Sequence, residues 1–328
     1  MYWGSRQEEG CVNRRNPDHP MPETVCEICF GPARFWREIA GYKHFRCRLC
    51  GHLHVFPRPS QDELDEFYQK GEYYDRAEMQ KERLVQDAHA RLALLESFVA
   101  GFRLEKKILD VGCASGIFLS VACQRGWDAQ GLERSEKMAE RARAIAGNRV
   151  AVGVLEEMVV PGTPFPVITV WEVVEHAINP RSFFRALAAN VGDGGLIGVS
   201  TPLSNGLPAK VLGSRYPMLM PPEHLSLFTR QSLRVLARES EFGEIDYRSF
   251  SNLNAKSLAS GFCQLLSGTR LEQAGRLARA ISRSLGLATG WLPAAVDALG
   301  YGTEMQVIFR KGTNPALGRS RGKTGNGV

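Results

Sequence analysis

The sequence lacks a long hydrophobic run. Its longest apolar stretch, LGLATGWLPAAVDALG (Leu285–Gly300), is interrupted by Pro293 and Asp297. It therefore falls short of the roughly 20 apolar residues that a membrane-spanning helix needs. The N-terminal stretch MYWGSRQEEGCVNRRNPDHP also lacks the apolar core of a secretion signal. We therefore expect a cytoplasmic protein.

Basic residues are present but are not concentrated. The 328 residues include 41 Lys and Arg against 35 Asp and Glu, which gives a net charge of +6. No dense block of Lys and Arg, typical of a nucleic-acid-binding arm, occurs in the sequence. We therefore expect a small-molecule substrate and no nucleic acid. With 44% hydrophobic residues, a chain of this length can bury the cores of about two domains.

A disulfide framework is not expected, because thiols stay reduced in the cytoplasm. Four of the eight cysteines form two pairs, CEIC and CRLC, with the spacing C-x2-C-x17-C-x2-C. Each C-x-x-C turn directs two thiolates at one point, and four thiolates complete the tetrahedron of a structural zinc ion. The predicted zinc ligands are Cys26, Cys29, Cys47 and Cys50. We expect the other four cysteines to be packing residues.

The chain divides into a few predicted segments. They are a flexible N-terminus (1–22), a zinc-binding module (23–56), a helical lead-in (57–103), an α/β domain (104–312) with a helical insert (255–300), and a disordered tail (313–328). The lead-in begins with Ser60 and Glu63 at the spacing of a capping box. Alternating strand and helix patterns in the α/β domain predict a doubly wound, mostly parallel sheet. The predicted strands are 107–112, 127–133, 149–154, 167–172, 195–200, 244–250 and 304–311, and the predicted helices are 116–125, 135–146, 180–191 and 229–240.

The stretch ILDVGCASG (108–116) is a strand followed by a glycine-punctuated turn, a layout typical of nucleotide binding. Ala114 stands where the dinucleotide fingerprint has its middle glycine, and the G-K-[ST] ending of a triphosphate-binding loop is absent. A carboxylate at Asp110 repels phosphates and favours a cationic or amino-bearing ligand. Glu133 ends the next strand, about 20 residues further on, where an acid binds ribose hydroxyls.

With LDVGCASG, Glu133 and the run WEVVEHAINP (Trp171–Pro180), the sequence resembles the class I S-adenosylmethionine-dependent methyltransferases over roughly residues 104–250 and the last strand. The resemblance implies a Rossmann-like, seven-stranded sheet with an antiparallel last strand, beside a zinc ribbon-like module. It also implies S-adenosylmethionine as cofactor, with the ribose at Glu133, the adenine near Glu156, and the methionine end at the loop and the backbone of Trp171. The implied cofactor-binding residues are Asp110, Gly112, Ala114, Gly116, Glu133, Glu156 and Trp171. Ala114 and Pro166 depart from the family pattern, which has glycine and aspartate there.

Three segments are candidates for the acceptor site. The stretch YPMLMPPEHLSLFT (Tyr216–Thr229) contains Glu223 and His224 and resembles a segment of sugar-acting and polysaccharide-cluster methyltransferases. In related deoxysugar C-methyltransferases, which also carry a four-cysteine module, a histidine in a comparable run looks like the base. The resemblance therefore implies a catalytic role for His224 and Glu223. The alternative, a histidine that caps the following helix or orders the loop, stays open.

The second candidate is the run EVVEH, which contains His176. It resembles a run in quinone-biosynthesis O-methyltransferases that looks able to hold a divalent ion, although we favour a structural and site-lining role. The third candidate is the pair Tyr73 and Tyr74, which could line the acceptor pocket. The alternative is that both side chains only pack against the fold.

The favoured function is therefore methyl transfer to a sugar or glycan precursor. A quinone- or lipid-type O-methyltransferase, a zinc-ribbon methyltransferase that acts on RNA or protein, and a cofactor-binding pseudoenzyme stay open as alternatives. The insert 255–300 could cap the acceptor site, form a homodimer contact or, through residues 270–300, contact a membrane surface.

Overall fold

The computed structural model describes residues 23–69, 81–147, 149–251 and 291–312. The regular elements of these residues, in chain order, are β1 (Glu23–Val25), β2 (Pro32–Ile39), β3 (Tyr42–Cys47), β4 (Leu53–Val55), α1 (Gln61–Gln69), α2 (Lys81–Phe102), β5 (Lys107–Val111), α3 (Ile117–Gln124), β6 (Asp128–Glu133), α4 (Glu136–Ala146), β7 (Val150–Val152), β8 (Phe165–Trp171), α5 (Pro180–Asn190), β9 (Val191–Pro202), α6 (Leu207–Leu212), β10 (Ser226–Leu227), α7 (Arg230–Glu239), β11 (Phe242–Phe250), α8 (Trp291–Ala298) and β12 (Glu304–Lys311). Short 3-10 turns cover Val174–His176 and Gly213–Arg215.

Seven strands form one sheet in the order β11-β12-β9-β8-β5-β6-β7. The pairs β5–β6, β5–β8, β6–β7 and β8–β9 are parallel, whereas β12 runs antiparallel to β9 and β11. The predicted Rossmann-like sheet with an antiparallel last strand is therefore confirmed. The carboxyl ends of its parallel strands meet at one edge, which is where such sheets bind ligands.

The strand β8 begins at Phe165, two residues before its predicted start. The register of its pairing with β9 shifts between Phe165 and Val167. Pro166 lies at this irregularity, where a residue without a backbone N–H costs no regular ladder bond. Pro166, where the family pattern has aspartate, therefore does not prevent β8 from forming.

Two helices, α1 and α2, precede the large sheet within the described part of the predicted lead-in. Helix α1 follows a capping box in which the Ser60 N–H donates to Glu63 Oε2 at 2.6 Å and the Glu63 N–H donates to Ser60 Oγ at 3.2 Å. Helix α2 buries Leu92, Leu95 and Val99 in the core on one face of the sheet. It therefore packs on this face of the sheet beside α3.

The second sheet has five strands in the order β1-β2-β3-β4-β10. Its last strand comes from the segment that follows β9, far along the chain, and pairs Ser226 with His54 and Leu227 with Leu53. The Thr229 hydroxyl also donates to the Cys50 carbonyl at 2.6 Å. The sheet of the N-terminal module therefore includes a strand of the α/β domain, a pairing that the sequence pattern did not predict.

Some predicted features lie outside the described residues. They are the N-terminus 1–22, Tyr73 and Tyr74, most of the insert 255–300, and the tail 313–328. No helix within the described ranges has both the length and the hydropathy to cross a bilayer. The predicted domain boundaries remain predictions.

Candidate active site

The four paired cysteines converge at one point of the N-terminal module. Their sulfur atoms all lie within 4.8 Å of one another, at 3.7 Å between Cys26 and Cys50 and at 3.4 Å between Cys29 and Cys47. These separations are close to the edge of about 3.8 Å that a tetrahedron with Zn–S bonds of about 2.3 Å has. The Ile28 N–H donates to Cys26 Sγ at 3.4 Å, as expected in a C-x-x-C turn. The donor set therefore fits a structural zinc ion.

The loop after β5 packs too closely for larger residues at two positions. Gly112 has φ +72°, and a Cβ there would lie 2.6 Å from Val173 Cγ2. Gly116 has φ +79°, and a Cβ there would lie 2.9 Å from the Ala142 Cα. Ala114, where the family has glycine, also adopts a positive φ of 46°. The loop conformation is thus the glycine-type one, and alanine is tolerated at Ala114 with some backbone strain.

The Glu133 carboxylate closes this loop from the end of β6. Its Oε2 accepts the Ala114 N–H at 2.8 Å, and its Oε1 accepts the Ser135 N–H at 2.9 Å. Burial raises the pKa of Glu133, whereas these backbone N–H groups oppose the rise. Each carboxylate oxygen has two lone pairs, so both can still accept a bond from a ligand hydroxyl. The ribose contact that the resemblance implies stays a prediction, and the structure shows a loop-closing role for Glu133 that the sequence did not indicate.

Asp110 lies beneath the loop and is not at its mouth. Its carboxyl is 3% exposed and accepts a hydrogen bond from Thr169 Oγ1 on β8 at 2.7 Å. Burial raises the pKa of Asp110 to about 7, against the opposing effects of the Thr169 bond and the nearby Arg91 charge. A cationic group brought to this carboxyl would favour its ionised form.

Asp110→Asn is expected to flatten the dependence of the free energy of unfolding on pH between about pH 4 and pH 7. Because the folded-state pKa of about 7 lies above the ordinary value of 3.8, the unfolded chain releases this proton first, and stability falls as the pH rises. The shift corresponds to about 4 kcal/mol over this range. Urea unfolding of the cofactor-free protein across this range measures it.

The matched control is Asp128→Asn, because Asp128 is a half-exposed acid paired with Arg149. This control should keep the slope of the wild-type protein. An Asp110→Asn protein with the same slope would contradict a protonated, buried carboxyl.

Trp171 ends β8 with its indole turned into the core. The ring contacts Phe118 edge-to-face, with 5.9 Å between the centroids. Its far edge lies over Gly198, where a Cβ would be 2.7 Å from Trp171 Cη2. The indole Nε1 is buried and has no hydrogen-bond partner. The indole therefore packs within the core, and the cofactor contact of the Trp171 backbone that the resemblance implies stays a prediction.

Arg91 of helix α2 reaches the same edge of the sheet. Its guanidinium lies 4.8 Å from the centroid of the Trp171 ring and donates to Ser200 Oγ at 3.3 Å. It also lies 3.8 Å from Glu172 Oε1. Glu172 has φ +56°, a conformation that is rare outside glycine and that recurs at functional sites. Sequence reasoning missed Arg91, because its position in an amphipathic helix carries no site signature.

Two histidines from distant parts of the chain face each other at this edge. The rings of His176 and His224 are 4.9 Å apart and nearly perpendicular. His176 Nδ1 bonds to the Glu223 carbonyl at 2.7 Å, and His224 Nδ1 bonds to the Met218 carbonyl at 2.8 Å. Since a carbonyl oxygen only accepts, each Nδ1 carries the proton and each Nε2 is the basic nitrogen. Burial lowers the pKa of His176, which favours the neutral ring.

Glu175 completes this cluster. Its side chain is fully buried, and neither carboxylate oxygen has a hydrogen-bond partner of normal geometry. Burial, with the nearby Glu172 charge, raises the pKa of Glu175 well above its usual range. One potential ligand atom from each of Glu175, His176 and His224 lies within 4.8 Å of the others. The cluster therefore has the donor set of a divalent-cation site.

The predicted site residues thus fall into two groups. Gly112, Ala114, Gly116 and Glu133 lie together at the loop, with Asp110 beneath it and Trp171 at the end of the neighbouring strand. Glu156 lies exposed in the turn after β7. The catalytic candidates His176, Glu223 and His224 form a second group. His176 lies in the 3-10 turn that follows β8, and the other two lie just before β10.

A family model described as "Methyltransferase domain" matches residues 76–243, about half of the chain. A curated relative, the ubiquinone biosynthesis O-methyltransferase of Bordetella avium, is 35% identical over 109 residues, which are 31% of this chain and 45% of that protein. The enzyme of the same name from Pectobacterium carotovorum is 34% identical over 126 residues, 36% of this chain and 52% of that protein. The chain therefore spans about half the length of these curated relatives.

Among solved structures, a SAM-dependent methyltransferase from Archaeoglobus fulgidus is similar with a TM-score of 0.46 and 16% identity, covering 73% of this chain and 100% of that one. The family match covers the sheet from β5 to the start of β11, which contains the glycine-type loop and Glu133. The chain therefore belongs to the methyltransferase domain family, and its α/β domain is a class I S-adenosylmethionine-dependent methyltransferase domain.

Proposed function

We propose that this protein transfers a methyl group from S-adenosylmethionine to a small-molecule acceptor, and that His224 removes the acceptor's proton. S-adenosylmethionine supplies a methyl group activated by its sulfonium sulfur. The observation that carries the proposal is the pair of facing rings, the half-buried His176 and the buried His224, at the carboxyl edge of the sheet that also carries the loop after β5. A base at this edge suits an acceptor hydroxyl or acidic carbon.

The residues of this chain have distinct proposed roles. Glu133 holds the ribose hydroxyls, and the loop through Gly112 and Gly116 and the backbone of Trp171 hold the methionine end. Glu156 lies near the adenine, and Asp110 stabilises the loop and the ligand's positive charge from beneath. The four cysteines hold a structural zinc ion. The close packing at Gly112 and the carboxylate bonds of Glu133 support this arrangement.

His224 is oriented for proton removal by its Nδ1 bond to the Met218 carbonyl. This bond directs the basic Nε2 away from the backbone, and the acceptor's proton moves to that nitrogen as the methyl group is transferred. Burial lowers the pKa of the facing His176, and the charge of the buried Glu223 opposes this effect, so we assign to Glu223 the role of favouring a cationic ring in this pair. His176, bonded to the Glu223 carbonyl, keeps the peptide before His224 in place.

A sugar or glycan precursor is the acceptor class that we favour. The support is the resemblance of Tyr216–Thr229, together with the four-cysteine module, to sugar-acting methyltransferases. The structure adds that these two segments are in contact, since Leu227 pairs with Leu53. A hydroxyl or acidic carbon of a sugar requires a base, which is the role proposed for His224.

A second candidate is a quinone-type O-methyltransferase. Two observations favour it: the curated relatives bear the name ubiquinone biosynthesis O-methyltransferase, and Glu175, His176 and His224 have the donor set of a divalent-cation site. Under this alternative, His224 is a ligand and no longer the base. The two candidates therefore differ in their metal requirement.

His224→Gln is expected to lower the rate of methyl transfer by about 10²- to 10⁴-fold. The dissociation constant of S-adenosylhomocysteine should stay within about twofold, because the cofactor loop is untouched. Calorimetry measures the binding. Methyl transfer is measured on a panel of nucleotide sugars and catechols, with and without added Mg²⁺. The control is His89→Gln, on the exposed face of helix α2.

Transfer to a nucleotide sugar without added Mg²⁺ supports the favoured function. Transfer to a catechol that requires Mg²⁺ supports the second candidate. A wild-type protein that does not bind S-adenosylhomocysteine would contradict both. An unchanged rate in His224→Gln would remove His224 as the base.

A further inference from the structure

We propose that Arg58 is a positioning residue of the acceptor site, which ties the first cysteine turn of the N-terminal module to the backbone beside His224. This inference rests on the proposed function, because it assigns meaning to the position of His224. Arg58 belongs to none of the sequence motifs described above and does not lie in the cofactor loop.

Arg58 lies just after β4, with most of its side chain buried. Its Nη1 donates to the Leu225 carbonyl at 2.6 Å, and its Nη2 donates to Ser226 Oγ at 2.7 Å. Leu225 and Ser226 directly follow His224 in the chain. One guanidinium therefore holds the two residues on the carboxyl side of the proposed base.

The other side of the same guanidinium faces the first cysteine turn. Arg58 Nε donates to Glu27 Oε2 at 3.2 Å, and Nη2 also pairs with Glu27 Oε1. Glu27 lies inside the turn between Cys26 and Cys29. His52 Nε2 bonds to the same carboxylate at 3.0 Å. The turn that contributes two of the four sulfurs is thereby connected, through one ion pair, to the loop of His224.

Leu225 is fixed from three directions. Its carbonyl accepts the Val55 N–H at 3.0 Å as well as the Arg58 guanidinium, and its own N–H donates to the Glu175 carbonyl at 2.9 Å. Leu225 thus lies between the N-terminal module and the turn that carries Glu175 and His176. Because Leu225 directly follows His224 in the chain, a shift of Leu225 would strain the bonds that hold His224, which run from its Nδ1 to the Met218 carbonyl and from its N–H to the Met220 carbonyl.

The planar guanidinium group of Arg58 allows this connection. It places several N–H donors in fixed directions, so Glu27, Leu225 and Ser226 are contacted at once. A lysine at this position keeps the charge but offers a single flexible ammonium. Arg58→Lys should therefore preserve part of the connection, whereas Arg58→Gln should lose it and leave the Glu27 carboxylate short of a counter-charge.

The test uses the full chain as purified, with its metal and with S-adenosylhomocysteine added. ¹⁵N spectra of labelled histidine rings report which nitrogen of His224 carries the proton. Hydrogen–deuterium exchange reports the protection of residues 216–229. In the wild-type protein we expect the Nδ1–H form of His224. In Arg58→Gln we expect a mixture of the two ring tautomers and exchange at least fivefold faster in 216–229, with Arg58→Lys intermediate.

The control is Arg34→Gln, because Arg34 forms an exposed ion pair with Glu23 in the same module and does not reach the α/β domain. It should match the wild-type protein in both readouts. Metal content and the dissociation constant of S-adenosylhomocysteine should be unchanged in Arg58→Gln, which separates loss of positioning from loss of folding. If Arg58→Gln does not fold, Arg58→Lys decides, because a merely structural charge would be fully restored by lysine.

Wild-type tautomer and exchange in Arg58→Gln, or in Arg58→Lys where the glutamine variant does not fold, would overturn the proposal. Failure of the wild-type protein to bind S-adenosylhomocysteine would instead contradict the proposed function, while the ring tautomer and exchange data would still decide the role of Arg58. Where an acceptor is in hand, kcat should fall at least tenfold in Arg58→Gln at an unchanged KM, with partial rescue in Arg58→Lys.

Discussion

Glu133→Ala is expected to weaken the binding of S-adenosylhomocysteine by about 10²- to 10⁴-fold. Under the proposed function, the variant loses two charge-assisted hydrogen bonds from Glu133 to the ribose hydroxyls, each worth about 1.5–3 kcal/mol. The carboxylate also accepts the N–H groups of Ala114 and Ser135, so the loop loses its closing contacts in the same variant. Calorimetric titration measures the loss of affinity, and thermal unfolding measures the loss of the loop contacts.

Two further variants make this result specific. Glu133→Gln keeps the size of the side chain and one oxygen acceptor, so its affinity should lie between those of Glu133→Ala and the wild-type protein. Glu136→Ala is the matched control, because Glu136 is an exposed acid of the same segment, paired with Arg143 at 3.2 Å. Affinity in Glu133→Ala within threefold of wild type would show that this carboxylate does not hold the cofactor.

Cys50→Ser is expected to reduce bound zinc from about one ion per chain to near zero and to lower the Tm by roughly 10 °C. A tetrahedral thiolate site loses most of its affinity when one of its four ligands is replaced, and structural zinc contributes directly to folding. The effect should extend beyond the module, because the Cys50 carbonyl accepts the hydroxyl of Thr229, which caps helix α7. Metal analysis and calorimetric melting provide the two measurements.

Cys123→Ser is the control, because Cys123 is an exposed thiol on helix α3 outside the cluster. It should retain both the metal and the Tm of the wild-type protein. Purification without chelators that yields a folded wild-type chain free of zinc would contradict the zinc site itself.

Local chemistry determined most of the secondary structure. The alternation of strand and helix patterns predicted β5, β6, α3, α4, α5 and α7 to within one or two residues, because side-chain periodicity and capping act over a few neighbouring residues. The prediction for β9 began four residues late, since the glycines between Val191 and Leu196 hide a strand from pattern reading. The spacing of the cysteine pairs likewise predicted a four-sulfur cluster, because two short turns are enough to direct the sulfurs.

Tertiary packing decided how the segments meet. The bond from Arg58 to Leu225 joins residues 167 positions apart, and no local pattern encodes such a pairing. The burial of Asp110, the approach of His224 to His176 and the addition of β10 to the module's sheet arise in the same way. The sequence by itself determined most strands and helices, the glycine-type loop after β5 and the cysteine cluster, each of which depends on residues close in the chain. Only the tertiary structure decided the arrangement at the proposed acceptor side, because its groups come from three distant segments whose contacts form when the module and the large sheet pack together.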